Sequence, residues 1–530
     1  MTFFDIIGRA LFGAGMGISM LGGLAVTAAD AQTLKVATAY KLMTLDPHYA
    51  DLNENTSLLS HIFERLVYQD ETMEPKPGLA TSWKRLSDKK WEFRLREGVK
   101  FHDGSPFTSR DVIATIERVQ QFLKPPSGGL AAYTQAISKV TAPDPHTVVF
   151  ETNEASPTLP LSLASIFIVQ HDDNRFKTTD EMNRGTAVIG TGPYKFDSWQ
   201  SGETLKLVRN DDYWGKRPAW SDVTLRIIES PAARVAALTT GDVDLADFIP
   251  ARDVEMLKRR GARIESTSAA RSNFLQFEIG RQKLPGVTDK SGEPIANPFR
   301  DVRVRKALTI ATDRDFLAEK ILMGYGSPAS QLFPTGMPGT SEKLLVTQPD
   351  YDGARELLTQ AGFRDGFNLE LGGPGGRYPG DSESLQSVAQ NWARIGVRVK
   401  PVVAPYSVYA NKLTQGDYPV WYAGCSGDAV TICLDAVVAS KNDERKTGSL
   451  NYGDYRNTEF DDTLAKAETI EVGPERDEAV ARATELVMSE YPIIPLYHFH
   501  HIAGYGQRVA SYHVHPRGWT TAMQAIPAGE

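Results

Sequence analysis

At 530 residues the chain is too long for a single hydrophobic core and should fold as two or three lobes. Its apolar content of 41% and mean hydropathy of −0.31 describe an ordinary soluble globular protein. The formal charge of −8 and the lack of any basic tract argue against nucleic acid or an anionic membrane surface as a partner. Arg9 precedes an uncharged run from Ala10 to Thr27 that contains Gly13, Gly15, Gly17, Gly22 and Gly23. Ala29-Asp30-Ala31 then reads as a cleavage site before Gln32. This is the pattern of a secretory signal peptide over residues 1–31, cut between Ala31 and Gln32. No cysteine stands near the cut, so a lipoprotein is not expected and the mature chain should be free in a periplasm.

The mature chain opens on a strand, Leu34 to Ala39, followed by the turn Thr44-Leu45-Asp46-Pro47-His48 and a short helix from Thr56 to Leu66. Between Leu79 and Val119 the pattern is sharper. Trp91, Phe93 and Leu95 alternate with Glu92, Arg94 and Arg96, which predicts a strand with one buried face. Asp103-Gly104 marks a turn, and Thr108 with Asp111 three residues on is a capping signal. Val112, Ile113, Ile116 and Val119 then fall on one helical face. Further along come a strand at Thr147–Phe150, a buried apolar run at 161–169, and strands at Glu203–Val208 and Val223–Ile228. A helix at Ala232–Thr239 and a turn into another strand at Gly241–Leu245 follow.

The next segment expected is a strand at Ser272–Ile279, then a loop at Gln282–Pro298. A helix capped by Asp301 and a second opened by Asp313 or Asp315 come next. Helices at 351–361, 382–395, 460–469 and 476–490 alternate with strands at 367–371, 397–403 and 492–497. The segment Tyr497–Tyr505 is rich in aromatic residues. Alternating strands and helices give an α/β class.

The order of the words carries more than their periodicity. W-x-F-x-L-R-x-G-V-x-F-H-D-G-x-P-F-T-x-x-D-V over residues 91–112, N-x-x-Y-W at 210–214 and F-x-D-V-R-V-R-x-A-L at 299–308 resemble the signatures of the family 5 extracellular solute-binding proteins. These are the peptide, dipeptide, glutathione and nickel receptors of ATP-driven importers. The resemblance runs from Leu34 to about Trp519. It implies a two-lobed periplasmic binding protein fold of the large type, with an extra subdomain and a ligand cleft between the lobes. Lobe I would comprise residues 32–55, 190–270 and 500–530, its extra subdomain residues 56–189, and lobe II residues 271–499. It also implies a monomeric receptor that needs no cofactor, performs no turnover and hands its ligand to a membrane permease.

Site residues follow only from that resemblance. Peptide receptors carry G-W-x-x-D or G-W-x-G-D where this chain has Gly424-Cys425-Ser426-Gly427-Asp428. Asp428 matches the aspartate that receives a ligand ammonium, and Gly424 to Gly427 match the backbone that pairs with the ligand main chain. Cys425 stands in place of the tryptophan. On the facing lobe, Ala50, Asp51, Leu52 and Asn53 match a second stretch of ligand-pairing backbone. Tyr406 matches an aromatic contact. Tyr422 stands where oligopeptide receptors have an arginine for the ligand carboxylate, which favours a ligand with no free carboxylate at that depth.

The chain has two cysteines, Cys425 and Cys433, close enough in sequence for a disulfide in an oxidising compartment. His498 and His500, like His513 and His515, share a strand face and offer metal spacing without a nearby carboxylate or cysteine, so no metal site is expected. A short peptide or peptide-like amine is the expected ligand. An opine, an oligosaccharide or a nickel or other metal complex is the alternative. The remote alternative is a secreted enzyme, against which stands the absence of HExxH, Walker A or CxxC.

Overall fold

The computed structural model describes residues 33–50, 52–121, 130–172 and 175–529, so the signal-peptide reading and its Ala31–Gln32 cut lie outside the described residues. The alternation at 90–95 forms a strand, Lys90–Leu95, between Ala80–Ser87 and Thr147–Thr152, with Ile137–Asp144 completing an antiparallel sheet of four. Trp91, Phe93 and Leu95 point into a core shared with Val112 and Ile116 of the helix Ser109–Gln121. That helix starts where the capping signal placed it. The Asp111 carboxylate accepts from the Thr108 N–H at 2.7 Å and from its hydroxyl at 3.2 Å.

Leu58, Ile62 and Phe63, with Phe167, Val169, Met182, Ala187 and Val188, pack into a core around Leu34, Val36 and Leu225. The expected helix at 56–66 is the shorter Asn53–Leu59. Past it the chain turns, and the His61 ring binds the Leu58 carbonyl on one side and the Ala522 N–H on the other. The apolar run at 161–169 is the end of a short helix, Leu159–Leu163, followed by an extended passage.

A second sheet runs unbroken through both lobes. On one side Tyr194–Gln200, Thr204–Arg209, Asp222–Ile227, Thr33–Thr38 and Leu245–Ala246 form lobe I. On the other Arg271–Phe277, Val420–Ser426, Asn368–Pro374 and the pair Lys283–Thr288 and Pro294–Ala296 form lobe II. That last pair replaces the loop expected at 282–298. Leu284 and Val287 are buried, but Pro285-Gly286 conceals their alternation, and the Asp289 carboxylate closes the turn by accepting from the N–H groups of Ser291 and Glu293.

The strand Ile493–Tyr505 joins the two sides. Its first half pairs with Arg271–Phe277, and its second half with Arg263–Ser268, from Ser268 opposite His500 to Arg263 opposite Tyr505. The chain therefore crosses between lobes twice, side by side. Between the two partner strands, the Ala269 N–H donates to Phe499 and the Ala270 N–H to Pro516.

One buried ion pair ties the extra subdomain to lobe I. The Arg118 guanidinium makes two bonds to Asp46, at 2.9 and 2.6 Å, with both side chains almost wholly buried. Burial pushes the Asp46 carboxyl up, and the bonds and charge of Arg118 reverse this and hold it below its ordinary value. Arg118→Met leaves the carboxylate buried without its counter-charge. It should lower stability by about 3–5 kcal/mol in urea unfolding. A loss under about 1 kcal/mol, the value of an exposed pair, would show that the pair is not structural.

Candidate functional site

The strand Val420–Ser426 is paired along one edge with Arg271–Phe277 and on the other only at Val420 and Trp421, which meet Leu371 and Gly372. From Tyr422 to Ser426 the second edge has no strand beside it among the described residues. This free edge lies where the backbone-pairing residues Gly424, Cys425 and Ser426 were expected. Gly424 has a close-packing reason. A Cβ there would sit 3.1 Å from the Asn273 amide nitrogen and 3.3 Å from the Tyr378 ring.

The strand leads through Gly427 to Asp428, which is buried and reached from the opposite lobe by three residues. The Ser165 hydroxyl donates to its carboxylate at 3.0 Å, the Gln69 amide donates to its main-chain carbonyl at 2.7 Å, and the Arg517 guanidinium forms an ion pair with the carboxylate. The same Gln69 amide also holds the Met73 carbonyl at 3.0 Å, and the Met73 side chain enters the lobe II core beside Phe333 and Val430.

Arg517 connects the two stretches that were expected to face each other. Its carbonyl accepts from the Asn53 amide at 2.8 Å while its guanidinium meets Asp428. Asn53 is held further by the Tyr40 hydroxyl, which accepts at 3.0 Å, and by the Trp519 indole N–H, which donates at 2.6 Å. Ala50 is buried, the Leu52 carbonyl accepts from Thr56 at the helix start, and Asp51 lies outside the described residues. Nothing in the sequence singles out Arg517, Ser165 or Gln69, because each gains its position from contacts hundreds of residues away.

Tyr422 and Cys425 both turn their side chains into the core. Tyr422 is wholly buried in the lobe II core. Its hydroxyl lies 2.7 Å from that of Tyr497, which donates to the Pro379 carbonyl at 2.9 Å. Opposite Leu275 in the ladder, its ring is covered by Tyr378, 5.7 Å away. The Cys425 side chain points to the other face of the sheet, into the core with Phe274 and Val430, and forms a disulfide with Cys433 across a Cα separation of 5.9 Å. Cys425 thus presents only its main chain to the free edge. Tyr406 is half exposed, with the Arg377 guanidinium 4.9 Å from its ring.

The histidines of the crossing strand are structural. His498 is hydrogen bonded to the Arg271 carbonyl at 3.0 Å, His500 to Ser327 at 3.1 Å, and His501 packs edge-on against Phe248 and Phe499. Burial lowers the pKa of His498 and of His515 to about 4 and that of His501 to about 3, so all three are neutral. No group of three metal-binding side chains occurs among the described residues. No helix among them is long and apolar enough to cross a membrane.

Residues 74–431 match the family described as bacterial extracellular solute-binding proteins, family 5. The chain belongs to that family. Among family 5 relatives, heme-binding protein A of Haemophilus influenzae is 25% identical over 484 residues, covering 86% of this chain and 85% of its own. The dipeptide-binding protein of Escherichia coli K12 is 25% identical over 487 residues, covering 86% and 87%. The structure of HbpA2 from Haemophilus parasuis shares the fold, with a TM-score of 0.78 at 21% identity over 93% of this chain and 99% of that one. The first two are named as binding proteins, and the two-lobed fold is that of family 5.

The disulfide holds the turn that carries Asp428. Replacing both cysteines, as Cys425→Ala with Cys433→Ala, should cost about 2–3 kcal/mol from the short loop released in the unfolded chain. Urea unfolding of the oxidised protein against the double variant measures this. Superimposable curves would show that packing alone holds the turn.

Proposed function

We propose that this family 5 protein is a periplasmic receptor that captures a short peptide or peptide-like amine between its lobes and presents it to the permease of an ATP-driven importer. The observation that carries this reading is the strand edge at Ala423–Ser426, which no second strand covers among the described residues, running into a buried carboxylate, Asp428, which the opposite lobe meets directly. An extended main chain laid on that edge gains hydrogen bonds whatever its side chains are. An ammonium taken from water needs a carboxylate at the end of the edge, and Asp428 supplies it. The dipeptide-binding relative supports the same class of ligand.

The Arg517 ion pair places a cation of the other lobe on that carboxylate, so its buried charge is compensated. A ligand ammonium takes its place beside Ser165 and shares or displaces the guanidinium.

The solute retained through purification is identified by native mass spectrometry, and its affinity is then measured by calorimetry. Asp428→Ala should weaken binding by about 2–5 kcal/mol, and acetylating the ligand amine should weaken the wild-type protein comparably. Equal affinity for the free and acetylated ligand would discard the ammonium assignment.

A further inference from the structure

Past the end of the free edge the two lobes enclose a second space. A cavity of about 380 Å³ begins at Asp428, where the edge stops, and follows the turn to Thr431. No residue of the strand Val420–Ser426 lines it. One wall is formed by Met73 and Pro75 of a hairpin, with Leu161. The other is formed by Phe333, Val472 and Val480 of lobe II. The walls come from both lobes, so the cavity is complete only while the lobes are together. The lobe II loop can lie directly on the helix Pro474–Ser489 because Gly339 sits at φ 81° and lacks a Cβ, which would come 2.9 Å from Val480.

A cavity of about 150 Å³ with aliphatic and aromatic walls already admits benzene, so this one has room for an aromatic ring with a short chain. One polar group on its wall lacks a partner. Asp477 is half-buried, and its carboxylate has no hydrogen bond or ion pair among the described residues. Its neighbours do not supply one. Arg476 is buried and turned toward the carbonyls of Ala467, Glu468 and Ile470, at 3.2, 2.7 and 3.0 Å. Glu74, on the opposite wall, is engaged by Lys76 at 2.5 Å. Burial raises the pKa of Asp477, and Glu74 adds to the rise against the opposing charge of Arg476. Asp428 is already met by Arg517. Asp477 is therefore the carboxylate of this cavity that an incoming cation would complete.

We propose that this cavity is an effector site for a small apolar cation, an arylalkyl ammonium in size and chemistry, which bridges the lobes and favours their closure. The apolar walls take the hydrocarbon body, and the Asp477 carboxylate accepts a charge-assisted hydrogen bond from the ammonium. An apolar alcohol can donate to the same carboxylate but brings no charge, and an apolar anion is repelled by it. A molecule held by walls from both lobes loses contacts when they separate, so its binding and lobe closure favour each other. The effector is thereby coupled to the solute on the strand edge without touching it. This site goes beyond the receptor reading and does not depend on which solute the edge takes.

The test titrates the full mature protein by calorimetry with three probes: 2-phenylethylammonium, 2-phenylethanol and 3-phenylpropanoate. The ammonium should bind about 10-fold more tightly than the alcohol, the value of one charge-assisted contact at a half-buried carboxylate, and the propanoate should bind least. Asp477→Asn should remove the preference for the ammonium and leave the alcohol unchanged. Val472→Trp, which fills the cavity, should weaken all three. Thermal unfolding of each variant separates a binding defect from a folding defect. Small-angle X-ray scattering should show the wild-type protein contract on adding the ammonium. Equal binding of the three probes, binding of none, or an ammonium preference that survives Asp477→Asn would overturn the cation site. Ammonium binding lost in Asp428→Ala but kept in Asp477→Asn would place the amine on the strand-edge anchor instead, overturning this site while supporting that one. Tight binding without contraction would overturn the coupling to closure.

Discussion

The strand Ile493–Tyr505 is the constraint on which the arrangement depends. Its N-terminal half is hydrogen bonded within lobe II and its C-terminal half within lobe I, so the two lobes are not separate bodies on a string. The neighbouring passage from Arg263–Ser268 to Arg271–Phe277 makes the same crossing, and its two connecting alanines are tied by their N–H groups to Phe499 and Pro516. Two adjacent crossings allow the lobes to bend toward each other but resist sliding, which is what closure on a ligand requires. Gly518, where a Cβ would collide with His501, places the Arg517 turn close to that axis.

Away from the axis the lobes meet through a few specific contacts. Arg517 holds Asn53 through its carbonyl and Asp428 through its side chain. Gln69 holds Met73 and Asp428 with a single amide. Met73 sits in the left-handed region at φ 67° with its side chain buried in the other lobe, a conformation that costs a non-glycine residue about 1–2 kcal/mol. The extra subdomain therefore does more than decorate lobe I. Its tip reaches into lobe II beside the turn that carries the Asp428 carboxylate.

Much of the fold was legible because it is written locally. The alternation at Trp91, Phe93 and Leu95, the Thr108–Asp111 cap and the caps at Asp301 and Asp313 form the elements their spacing implies. The hairpin at 283–296 was hidden by Pro285-Gly286, and the strand Ala80–Ser87 by a surface so polar that no period shows. The candidate site was legible as a word but not as a surface. The run 424–428 falls on the free edge and the buried carboxylate, yet Tyr422 turns into the core because its strand face is covered by Tyr378. The residues that meet Asp428 from the other lobe, Arg517, Ser165 and Gln69, carry no periodic signal and reach it only through long-range contacts.

The buried histidines have a consequence for acid. His48, His61, His102, His498 and His515 have pKa values lowered to about 4 by burial, and His501 to about 3. An unfolded histidine titrates near 6.5. Above that pH neither state binds these protons, and the rings contribute nothing to the balance. Below it the unfolded chain takes up protons that the folded chain refuses, so stability falls as acidity rises through the window between about pH 6.5 and 4. Over the same window the His498 and His501 rings of the crossing strand stay largely neutral, and the bond of His498 to the Arg271 carbonyl does not change. The receptor therefore keeps a constant geometry at its axis while its margin against unfolding shrinks, so acid would remove the protein as a whole before altering how it closes.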